Sequence, residues 1–70
     1  MGQSTQFDWE GKNYSIPLRA FDGNLPIRLP GGTCLRVSRW DVTKKPPAPK
    51  YLYEISVHPD MKFVEATEIL

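Results

Sequence analysis

Residues 51–58, Tyr51-Leu52-Tyr53-Glu54-Ile55-Ser56-Val57-His58 (YLYEISVH), decide the fold class. The segment alternates in kind with period two. Tyr51, Tyr53, Ile55 and Val57 fall on one face of an extended chain, and Leu52, Glu54, Ser56 and His58 fall on the other. Aromatic and β-branched side chains suit a pleated, half-buried surface, so this is a strand whose tyrosine face is expected to meet the core. Its pairing partner is Thr33–Trp40, TCLRVSRW. There Leu35 and Val37 share one face, while Cys34, Arg36, Ser38 and Trp40 share the opposite one.

Between these strands lies Thr43–Lys50, TKKPPAPK, with three prolines and three lysines. Proline cannot donate to a ladder, so the strands are expected to separate here. Pro46-Pro47-Ala48-Pro49 has the PxxP form that favours polyproline II. The cation such ligands need is misplaced, since Thr43 stands three residues before Pro46 and Lys50 follows Pro49 directly. The stretch therefore reads as a stiffened hairpin tip that holds Lys44, Lys45 and Lys50 beside Trp40.

Further out, QFDWEGKNYSI reads as a second hairpin. Phe7 and Trp9 lie on one side, Tyr14 and Ile16 follow in the return strand, and Gly11 supplies any positive φ of the turn. IRLPGGT predicts a type II turn with Pro30 and Gly31 at its centre. PLRAFDGNLP is a connector with a tight turn at Asp22-Gly23-Asn24. In PDMKFVEATEIL, Asp60 caps one expected helical turn, and ATEIL follows as a short strand. No stretch of 11 or more residues between glycines and prolines keeps a helical apolar period, which excludes long helices.

Five or six short strands at this spacing predict an all-β fold: a small antiparallel β-barrel, SH3-like first and OB-like second. Seventy residues make one domain, 1–70, that buries only about 60% of its unfolded surface. The one cysteine, Cys34, excludes an internal disulfide and fits a reducing compartment. MGQSTQFDWE has neither the charge nor the apolar run of a signal peptide, and no stretch is long enough to span a bilayer. The expectation is a cytoplasmic protein without a membrane partner.

Net charge is +1, unevenly spread. Residues 11–50 carry eight cations against Asp22 and Asp41, and acidic residues dominate both ends. This pattern marks either a basic binding face or a basic strand paired with acidic ones.

For catalysis the chain offers only Cys34 and His58, on strands expected to be neighbours. The simpler reading makes Cys34 a small buried hydrophobe and His58 a strand-end residue, so no enzyme is expected. Zinc needs three or four Cys, His or carboxylate ligands, and PGG is too short to cradle a phosphate, so neither metal nor cofactor nor small-molecule substrate is expected. Asp60, Glu65 and Glu68 read as a solvated acidic edge.

Two binding readings remain. In the first, the chain is a non-catalytic protein-interaction module or a small subunit of a larger assembly. An aromatic anchor with a basic rim would meet an acidic partner protein. Its candidate contacts are Trp40, Arg39, Arg36, Lys44, Lys45, Lys50 and Trp9. In the alternative, the same face binds single-stranded nucleic acid by base stacking and phosphate contacts. Against it stand a sequence pI near 7.9 and the expected burial of Tyr51 and Tyr53.

Overall fold

The structure, a computed structural model, describes residues 2–70. The order of elements is β1 (Ser4–Trp9), β2 (Lys12–Pro17), α1 (Arg19–Asp22), β3 (Ile27–Arg28), β4 (Cys34–Asp41), β5 (Ala48–Ile55), β6 (Val64–Glu65) and β7 (Thr67–Ile69). Among the described residues, seven short strands and one helical turn make an all-β domain. No helix among the described residues is long and apolar enough to cross a membrane.

The strands form two sheets rather than a closed barrel. One has the order β1-β2-β7 and the other β5-β4-β3-β6. All pairs are antiparallel except β3 with β6. Only Ala66 separates β6 from β7, so the chain steps from one sheet to the other at that corner. At the opposite corner β1 and β5 touch without forming a ladder, which leaves the expected barrel open along that seam.

The core lies between the sheets. Phe7, Tyr14 and Ile16 enter from one side, and Ile27, Leu35, Val37 and Val64 enter from the other. Ile16, Ile27, Leu35 and Val64 are its largest fully buried side chains. Phe7 and Tyr14 stand opposite each other across the first hairpin and stack with ring centroids 5.5 Å apart. That hairpin turns on Glu10 and Gly11, both in the left-handed region at φ 50° and 81°. Two successive positive φ values are what a two-residue primed turn requires, and its twist matches the strands it joins.

Several expectations need correction. The one helical turn is not at the C-terminus. It lies in the connector, where α1 buries Ala20 completely, and Gly23 N–H closes it on Arg19 O at 2.9 Å. Residues after His58 instead make one turn, closed by Met61 N–H to His58 O, and continue into β6. The expected terminal strand is present as β7, on the edge of β2. The PGG turn places positive φ at Gly32 (97°), not at Gly31. Gly32 N–H donates to Leu29 O at 2.9 Å and Leu29 N–H to Thr33 O at 2.7 Å, so the loop is a type I turn followed by a left-handed residue.

The proline stretch also behaves differently from expectation. The β4–β5 ladder continues through Trp40↔Pro49 and Asp41↔Ala48 instead of ending before the prolines. β5 is an edge strand, and a proline there can leave its missing donor on the unpaired side.

Candidate functional site

The site is the outer face of the four-stranded sheet, centred on the β4–β5 hairpin. Residues directly opposite on paired strands share a face. Ile27↔Leu35 and Val37↔Leu52 point inward. The outward rows are therefore Arg28↔Cys34, Cys34↔Ile55 and Arg36↔Tyr53.

Beyond Val37 the register shifts twice. Val37 pairs with Leu52, Arg39 with Tyr51 and Trp40 with Pro49, which leaves Ser38 as the extra residue on β4 and Lys50 as the extra residue on β5. An extra residue reverses the alternation that follows it. Arg39 turns outward beside Tyr51, and Trp40 turns inward. Strict alternation had assigned both the other way.

Trp40 is consequently half-buried against the core, with its indole edge-on to Phe21 of α1 at 5.1 Å between centroids. Its Nε1–H is buried and unpartnered among the described residues. Trp40 therefore packs against the core instead of projecting fully from the sheet as expected. Trp9 likewise packs against the core. The assignment of Tyr51 and Tyr53 to the core is overturned. They are 56% and 47% exposed, and the half-buried Leu52 faces inward in their place.

The outer face thus carries Arg36 opposite Tyr53 and Arg39 opposite Tyr51, with Arg28 on the same face of β3. Lys50 Nζ lies 5.6 Å above the Tyr51 ring, and the Arg28 guanidinium lies 5.8 Å from the ring of Phe63. The alternative reading, a basic strand paired with acidic ones, is met at one point only among the described residues, where Arg28 of β3 stands opposite Glu65 of β6. Among the described residues none of these cations, nor Lys44 or Lys45, forms an ion pair. The tip that carries Lys44 and Lys45 is ordered by Asp41. Its Oδ1 accepts from both the backbone N–H of Thr43, at 3.0 Å, and the Thr43 hydroxyl. These two hydrogen bonds, the hydroxyl's first, hold the Asp41 carboxyl below its usual value, and Lys44 and Lys50 add to the effect.

Arg28, Tyr51 and Tyr53 were not named as contacts from the sequence. Arg28 was detectable there, since Ile27 is the apolar residue of the pair and Arg28 must then face out. The tyrosines were not detectable, because alternation alone does not say which face is buried.

Cys34 and His58 are not brought together. The Cys34 thiol donates to Gly32 O at 3.6 Å, and His58 Nδ1 accepts from Asp60 N–H at 3.2 Å. Among the described residues no group of three or more His, Cys, Asp or Glu side chains is placed to hold a metal. Glu65 and Glu68 fall on different strands of different sheets. Compared with protein-family models, curated proteins and solved structures, the chain matches none.

Proposed function

We propose that this chain is a non-catalytic binding module that engages an acidic macromolecule through the outer face of β4 and β5. A module of this kind serves as an interaction domain or as a small subunit of an assembly. The observation that carries this reading is the exposure of Tyr51 and Tyr53, each directly opposite an arginine.

Large aromatics left open on one sheet face are characteristic of binding surfaces, and Tyr and Arg are enriched among residues that anchor them. Cations that form no ion pair among the described residues steer an acidic partner toward that face and raise its on-rate. The anchor role expected of Trp40 passes to the two tyrosines. Arg36, Arg39, Lys44, Lys45 and Lys50 keep their assignment as the basic rim.

The test is a titration of 15N-labelled protein, at low salt, with two acidic probes: an oligoglutamate peptide and a single-stranded oligonucleotide. Amide shifts confined to β4, β5 and their loop, with either probe, are expected. Shifts absent with both probes, or centred on the β1–β2 hairpin, refute the assignment.

A further inference from the structure

We infer that the acidic partner is a single-stranded nucleic acid, with Tyr51 and Tyr53 as stacking platforms for two bases. This rests on the binding-module reading above.

The inference starts from spacing. Tyr51 and Tyr53 are two residues apart on one strand face, which separates them by about 7 Å. Each ring has a guanidinium across the ladder, Arg39 beside Tyr51 and Arg36 beside Tyr53. Planar and cationic groups therefore come in two adjacent pairs. A nucleotide chain presents base and phosphate at every residue, so it can satisfy both members of each pair. An acidic protein matches this pattern only where apolar and carboxylate side chains happen to alternate at the same spacing, whereas a nucleotide chain repeats it at every residue.

Sequence-tolerant single-strand binders combine aromatic faces with a cationic track for the backbone. Here the track runs from Arg28 through Arg36 and Arg39 to the tip lysines. Lys50 covers one face of Tyr51 at 5.6 Å. A base arriving on that face displaces the ammonium, which then meets the adjoining phosphate.

The expected salt dependence follows from the charge. Three to five phosphate contacts by this track give a slope of log K on log salt of about −2 to −3.5 for a single strand. Affinity then falls about 20- to 130-fold between 50 and 200 mM salt. Loss of one stacking ring weakens binding about 5- to 140-fold.

The experiment measures fluorescence anisotropy of labelled 12-nucleotide oligo-dT and oligo-U against the full chain at 50 mM salt. An oligoglutamate peptide and a DNA duplex serve as competitors. Expected are binding to the single strands, the stated salt slope, and loss of binding in Tyr51→Ala and Tyr53→Ala. Tyr51→Phe and Tyr53→Phe should bind as the parent does, because the ring is retained. Circular dichroism melts check that the alanine variants remain folded.

Several results overturn the inference. One is no binding to either oligonucleotide; if oligoglutamate still perturbs the same face, the module reading survives and only the nucleic-acid partner falls. Another is binding that is indifferent to both alanine substitutions. A third is equally tight binding of duplex, which offers no open bases. The last is a dimer in sedimentation that Tyr51→Ala and Tyr53→Ala convert to monomer, which would place those rings against a second copy.

Discussion

Replacing Trp40 with alanine should weaken the fold itself rather than only a binding surface. The side chain is half-buried against the core and meets Phe21 edge-on at 5.1 Å. Truncating a fully buried Trp costs about 3–5 kcal/mol. Partial burial reduces that figure. The buried Nε1–H has no partner among the described residues, and removing such a group recovers part of the loss, since an orphaned donor costs about 1–3 kcal/mol. The net expectation is about 2 kcal/mol, of which the aromatic pair with Phe21 supplies about 0.5–1.5 kcal/mol. In a domain of this size that lowers Tm by about 8–16 °C. Trp40→Phe keeps a ring against Phe21 and removes the orphaned donor, so it should lose less than half as much. Urea and thermal denaturation followed by circular dichroism measure both variants, with Arg39→Ala as an exposed control. A double-mutant cycle with Phe21→Ala isolates the pair. Trp40→Ala melting within about 3 °C of the parent would refute the inward placement of this side chain. So would a cycle with no coupling to Phe21.

Two further predictions concern the loops. Gly32→Ala places a Cβ at φ 97° and should cost about 1–2 kcal/mol, whereas Gly31→Ala, with no atom within 4 Å of its new Cβ, should change stability by less than about 0.5 kcal/mol. A type II turn demands the reverse order, so chemical denaturation of the two variants decides between the turns. At the hairpin tip, Asp41 titrates below its usual value of 3.8. A carboxyl lowered in the folded state favours folding above the unfolded value, and that contribution fades as pH falls through the lowered one. Thr43→Ala removes the hydroxyl bond and should move the NMR-detected titration of Asp41 upward; an unmoved titration would show that Thr43 does not hold this carboxylate.

Much of the fold was legible in the residues. Period-two alternation in TCLRVSRW and YLYEISVH identified the central hairpin, because side chains of an extended chain must point to alternate sides. Leu35 and Val37 do face the core. EGKN announced a tight turn, and Glu10-Gly11 closes it. ATEIL was identified as a strand, and β7 occupies Thr67–Ile69.

The candidate site was less legible. Alternation divides a strand into two faces without saying which is buried. In β5 both faces are mixed, so the neighbours decide. Val37 lies inward and pairs with Leu52, which draws Leu52 in and turns Tyr51 and Tyr53 out. The one-residue shifts at Ser38 and Lys50 then exchange the directions of Arg39 and Trp40. The bulge has no signature in the residue types themselves, since its advantage is to pack an indole on a helical turn far away in sequence. Local chemistry therefore determined that the chain is all-β and where it turns. Which aromatics are hidden and which stay exposed was decided only when the strands paired and the sheets closed over the core.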